Sequence, residues 1–110
     1  MAHYLLQITY TPEAWAAMLK NPHDRRAAVE PALKKLGGSL EQAWFSFGEY
    51  DLVGIMQMPN NVAAATFAMA VSGGGACKTV KTTPLLTTDE ALEAMRQASG
   101  AGYKPVTAQG

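Results

Sequence analysis

Short aromatic and β-branched runs alternate along this chain with stretches of helical period. Tyr4-Leu5-Leu6-Gln7-Ile8-Thr9-Tyr10 shows partial alternation, the pattern of a half-buried strand. Thr11-Pro12-Glu13 then carries the signals of a helix start: an N-cap hydroxyl, a proline at the first helical position and an acid in the first turn. The helical pattern continues through Trp15, Met18 and Leu19. It breaks at Asn21-Pro22, because proline disfavours helical geometry in the residue before it. A second helical piece is predicted from about His23 to Leu36, with Ala28, Val29, Ala32, Leu33 and Leu36 on one face. Pro31 within it predicts a kink or a lost hydrogen bond, and Gly37-Gly38 is its stop.

Two further strands, Leu40–Phe47 and Leu52–Met58, flank a tight reversal at Gly48–Asp51 and pair as a hairpin. Pro59-Asn60-Asn61 ends it and supplies an N-cap for a helix over Val62–Val71, which Ser72-Gly73-Gly74-Gly75 terminates. Cys77–Thr83 is a fourth strand. Thr87-Thr88-Asp89-Glu90 opens a last helix, with acids where the helix dipole favours them, and Ser99-Gly100 closes it. One domain is expected over residues 1–98, with a loose tail over 99–110. Two strand-helix-strand halves with right-handed crossovers predict an α+β, ferredoxin-like βαββαβ fold plus a C-terminal helix. Its four-stranded antiparallel sheet would carry helices on one face only.

The other face then needs a cover. On the first two strands the more apolar parities, Tyr4, Leu6, Ile8, Tyr10 and Ala43, Phe45, Phe47, should meet the helices. That leaves Leu5, Gln7, Thr9, Gln42, Trp44 and Ser46 on the open face, an assignment that a one-residue register slip would reverse. The third strand is apolar on both sides, with Val53 and Ile55 on one and Gly54 and Met56 on the other, and so expects burial on both. A second copy related by two-fold symmetry is the simplest cover, so a homodimer or higher homo-oligomer is expected. A ligand pocket would lie between sheet and helices or between subunits.

Composition narrows the partners. The chain has 110 residues, 48% of them hydrophobic, enough for one core, and its formal net charge is zero. A balanced charge argues against nucleic-acid and anionic-membrane binding, which need a basic stripe. The single cysteine, Cys77, excludes an internal disulfide framework. With no signal-peptide pattern at the N-terminus and no apolar run long enough to span a bilayer, a cytoplasmic location is expected.

The candidate chemistry is sparse. In Gly48-Glu49-Tyr50-Asp51, turn chemistry is the economical reading: Gly48 supplies a backbone conformation closed to other residues and Asp51 caps the turn through its side chain. The functional alternative has Glu49, Tyr50 and Asp51 lining a ligand site. His23-Asp24-Arg25-Arg26 offers a general base with an orienting acid, or an anion site at a helix start, against the commoner outcome of a solvated helix N-terminus. His3 and His23 lack partners at metal-ligand spacing, so no metal is expected, and nothing calls for another cofactor. Gly73-Gly74-Gly75 follows a helix and does not run directly into the Lys-Ser/Thr ending of a phosphate loop. Cys77 has no acid-base partner in the sequence and reads as inert. Trp44 on the open face suits a dimer anchor first, and a wall of a small aromatic-ligand pocket second. Gln7 and Thr9 share that face.

Leu36-Gly37-Gly38, Trp44 to Phe47, Gly48-Glu49-Tyr50-Asp51-Leu52-Val53 and the closing Pro59 together resemble the GYD-domain family. These are small bacterial and archaeal proteins of the dimeric α/β-barrel group, mostly of uncharacterised function. The likeness spans about residues 4 to 96. Asn60 and Asn61 stand where the family often has an acidic pair. The same turn also resembles the effector-binding domains of leucine-responsive regulators, which bind amino acids between subunits. The resemblance implies an oligomeric module that binds or senses a small metabolite. The alternatives are a cofactor-independent enzyme, similar to small monooxygenases or lactone isomerases and using Trp44, Tyr50 and His23, or a purely structural oligomerisation module.

Overall fold

A computed structural model describes residues 1–108 of the chain. The elements run β1 (Ala2–Tyr10), α1 (Pro12–Lys20), α2 (Arg25–Lys35), β2 (Ser39–Phe45), β3 (Leu52–Met58), α3 (Asn61–Gly73), β4 (Cys77–Leu85) and α4 (Thr88–Ser99). The strands form one four-stranded sheet in the order β2-β3-β1-β4, and every neighbouring pair is antiparallel. This is the α+β, ferredoxin-like arrangement that the alternation of patterns predicts. Beyond α4 a short 3-10 turn covers Val106–Ala108; residues 109–110 of the expected tail lie outside the described residues.

Local chemistry sets the helix ends. Thr11 Oγ1 accepts from the Ala14 amide at 3.1 Å, and Asn60 Oδ1 from the Ala63 amide at 2.9 Å. Asp24, not His23, caps α2, taking the Arg26 amide at 2.9 Å. The helix ends where Gly37 turns to φ +82°: the Gly37 amide donates to the Lys34 carbonyl and the Gly38 amide to the Leu33 carbonyl, which satisfies two orphan acceptors. Pro31 stays inside α2, on its exposed side. A reciprocal capping box joins Thr87 and Glu90 at the start of α4, and the bond from the Thr87 amide holds the Glu90 carboxyl below its ordinary range.

Alternation along the strands decides what is buried. Tyr4, Leu6, Ile8 and Tyr10 of β1, Leu52, Met56 and Met58 of β3, and Leu40 of β2 form the core with Leu33, Ala64 and Phe67 from the helices. Direct pairing of Gln42 with Ile55 and Leu5 with Ile55, then of Trp44 with Val53 and Gln7 with Val53, puts the opposite parity in rows across the open face. Five of the six expected open-face residues fall there by register or parity, while Ser46 lies beyond the end of β2.

Among the boundaries that differ from expectation, two have clear reasons. β2 stops at Phe45, so a loop over residues 46–51 replaces the tight turn, closed by the Ser46 amide donating to the Asp51 carbonyl at 2.8 Å. Gly48 in that loop is not among the positive-φ glycines, so it does not supply a backbone conformation closed to other residues. β4 runs on through Pro84 to Leu85, since an edge strand tolerates a residue without an amide donor.

A register irregularity in β2 between Leu40 and Gln42 brings the Gln42 carbonyl to 2.9 Å from where a Cβ on Gly54 would stand. Gly54→Ala is therefore expected to cost about 1–3 kcal/mol in urea unfolding. Gly73→Ala, at a helical position with open space, should be neutral or stabilising by up to ~1 kcal/mol. Equal effects at the two positions would contradict this packing.

Candidate functional site

Asp51 is the most connected polar residue of the hairpin. Its Oδ2 accepts from the Tyr10 amide at 2.9 Å and from the Trp15 indole Nε1 at 3.1 Å, and its own amide donates to the Ile8 carbonyl at 2.8 Å. It thus fastens the hairpin loop to the end of β1 and to α1, and does not cap its own turn. Trp15 meets Tyr10 edge-on at 5.8 Å and tilts against Phe45 at 6.3 Å, completing an aromatic corner.

The expected site residues do not share one pocket. Gln7, Thr9 and Trp44 belong to the open face, where the Trp44 residue is 55% exposed. Exposed Glu49 stands at the rim, its carbonyl accepting from Thr9 Oγ1 at 3.3 Å. Asp51 is committed to Tyr10 and Trp15 toward the helices, and half-buried Tyr50 lies in the loop beside it. His23 sits in the α1–α2 loop. Trp44 also borders a recess of about 100 Å³ with Asp24 and Arg26 at the β2 edge.

A cavity of about 150 Å³ lies between α1, the α1–α2 loop and the start of β4. Tyr10, His23 and Arg25 give it a polar end, and Ala14, Ala17 and Met18 an apolar wall. Burial pushes the Tyr10 hydroxyl above its ordinary range, while the Arg25 guanidinium beside it pulls the other way. Burial also raises the neighbouring Cys77 thiol, again against Arg25, which keeps it protonated and a poor nucleophile. A second depression, about 370 Å³, separates α3 from β4 and is apolar apart from Tyr4, Asn61 and Thr82. Among the described residues no group of three or more His, Cys, Asp or Glu side chains is placed to hold a metal ion, and no helix is long and apolar enough to cross a membrane.

Sequence reasoning passed over Tyr10 and Trp15, because a tyrosine on a core parity and a tryptophan in an apolar helical stripe both read as packing. An indole donor near a strand end, with an aspartate in the facing loop, was the available signal.

A ferredoxin-like sheet, open on one side and fastened by an aspartate in the β2–β3 loop, defines the class. The sequence profile of the GYD domain matches residues 4–95, and the chain belongs to that family. No curated protein matches the chain significantly. Among solved structures, the crystal structure of FFRP-DM1, a leucine-responsive-regulator-like protein, aligns with a TM-score of 0.50 and 13% identity. The alignment covers 78% of this chain and 100% of that one, and it shows a shared fold.

Asp51→Ala would leave the Tyr10 amide and the Trp15 indole without their acceptor. It should destabilise the protein by about 2–4 kcal/mol in chemical denaturation, with a red-shifted or quenched Trp15 emission in the remaining folded state. Asp51→Asn, which keeps an acceptor, should lose clearly less. A loss below ~0.5 kcal/mol for Asp51→Ala would mean that the bonds do not bear on stability.

Proposed function

We propose that the protein is a homo-oligomeric module that binds and senses a small metabolite. The observation that carries this reading is the uncovered face of the sheet. Half-buried Leu5, Val53 and Ile55 lie side by side at its centre, Trp44 stands exposed at one edge, and among the described residues no helix packs over them. Burying such a surface yields about 25 cal/mol per Å², and contiguous apolar patches of this kind mark interaction sites. The occupant that fits is a second copy, because a two-fold axis sets the same apolar rows against themselves. The exposed apolar side chains of α4, Leu92 and Met95, give a further surface for the same association.

The sensing half of the proposal rests on the family and on the fold shared with a leucine-responsive-regulator-like protein. The enzyme alternative finds less support. Trp44 and His23, two of its three residues, are assigned to the sheet's open face and to the α1–α2 loop on the helix side, with no common cavity among those described.

Sedimentation velocity at micromolar concentration should show a species of at least twice the 11.7 kDa chain mass. Ile55→Lys, which puts a charge at the centre of the open face, should shift it toward monomer while far-UV circular dichroism stays unchanged. A monomeric wild type would contradict the oligomer. A thermal-shift screen of metabolites should find midpoints that rise with ligand concentration; a screen without any such response would contradict the binding role.

A further inference from the structure

We infer that the cavity between α1, the α1–α2 loop and β4 is a binding site for a short-chain monocarboxylate, held by the guanidinium of Arg25. The inference rests on the metabolite-binding reading and gives it a place and a ligand class.

The two adjacent arginines at the start of α2 are treated differently by the fold. Arg26 is consumed: its Nε donates to Glu30 at 2.6 Å and its Nη2 to the Leu40 carbonyl at 2.9 Å. Arg25 enters no ion pair among the described residues. The adjacent Asp24 turns its carboxylate to the Arg26 amide, and Asp51 turns its own to Tyr10 and Trp15. A half-buried guanidinium without a counter-charge is what a site for an anion requires.

Arg25 is also held in place. Its Nη1 lies 3.1 Å from His23 Nε2, and His23 Nδ1 lies 2.9 Å from the Asn21 carbonyl. A carbonyl only accepts and a guanidinium only donates, so the network assigns the proton to Nδ1 and the lone pair to Nε2. Neutral His23 thus relays the main chain at the Asn21-Pro22 break to one corner of the guanidinium. His23 faces one of the five guanidinium donors and the Tyr10 hydroxyl another, and the rest are available to a planar carboxylate. The Tyr10 hydroxyl stands beside the guanidinium as a further donor, and its elevated pKa keeps it protonated.

Size and polarity select the ligand. About 150 Å³ is below the usual range for drug-sized ligands, roughly 300–1,000 Å³. Ala14, Ala17, Met18 and Ala76 suit a short aliphatic tail. No carboxylate lines the cavity, so an α-ammonium would find no counter-charge there, and a 2-oxo or simple acid is preferred to an amino acid.

Isothermal titration of the full chain with pyruvate, acetate, alanine and methyl pyruvate tests this. Saturable binding is expected for pyruvate or acetate, with none for the uncharged ester and weaker or none for alanine. Arg25→Gln should weaken the acid by about tenfold or more. Arg25→Lys should retain part of the affinity, Tyr10→Phe should weaken it severalfold, and Lys34→Gln on the exposed side of α2 should leave it unchanged. Amide NMR spectra of each variant establish that it is folded. Binding of the acid undiminished in folded Arg25→Gln overturns the inference, as does the absence of binding by either acid. If the thermal-shift screen finds only ligands without a carboxylate, the carboxylate site falls and the metabolite-binding reading stands. If it finds none, both fall.

Discussion

One carboxylate oxygen fixes the working end of this fold. Asp51 Oδ2 receives the Tyr10 amide and the Trp15 indole together, so the hairpin loop, the end of β1 and helix α1 meet at a single acceptor. The position has a simple logic. Asp51 lies immediately before β3, its amide extends the ladder to the Ile8 carbonyl, and its side chain accepts from the next β1 amide on that edge. Placing the same oxygen against Trp15 adds α1 to the junction, and the edge-on Tyr10–Trp15 contact fills the angle between strand and helix. The small cavity and the open face both border on this corner. Tyr10 forms one wall of the small cavity, α1 forms another, and the line of β1 sets the open face behind it.

Much of the architecture was legible because it follows from period and punctuation. Partial alternation from Tyr4 to Tyr10, Thr11-Pro12, Gly37-Gly38 and Asn60 each act locally, through pleat, cap and stop, and each appears in the structure where the residues put it. The parity of β1, and of β2 as far as Phe45, was readable for the same reason, whereas Phe47, expected against the helices, lies beyond the strand and is fully exposed. The β2–β3 connection was not. A glycine next to acidic residues reads as a tight turn, yet β2 ends at Phe45, and Gly48 uses no conformation special to glycine. The reason is tertiary: Asp51 is drawn to Tyr10 and Trp15, more than thirty residues away in the chain, and the loop widens to let it reach them.

The candidate site was legible only in part. Trp44, Gln7 and Thr9 could be placed together because strand parity is a sequence property. The distinction between Arg25 and Arg26 could not be drawn, since it depends on where Glu30, Leu40 and His23 come to lie. Sequence shows a basic run at a helix start; folding spends one cation and leaves the other. β1 lies between the cavity and the open face, turning Tyr10 to the first and Leu5, Gln7 and Thr9 to the second. The proposed metabolite site and the proposed oligomer interface, on opposite sides of one central strand, suit a sensing module better than a surface built for chemistry.

The central claim is that the open face is an interior surface of an oligomer, and Trp44 reports on it most directly. Fluorine NMR of protein labelled with 5-fluorotryptophan gives one resonance for Trp15 and one for Trp44, assigned with Trp44→Phe. The solvent-isotope shift of the Trp44 resonance between H2O and D2O should shrink as protein concentration rises, as the indole passes from water into an interface. A Trp44 resonance that keeps the full isotope shift of an exposed indole at every concentration would contradict the account.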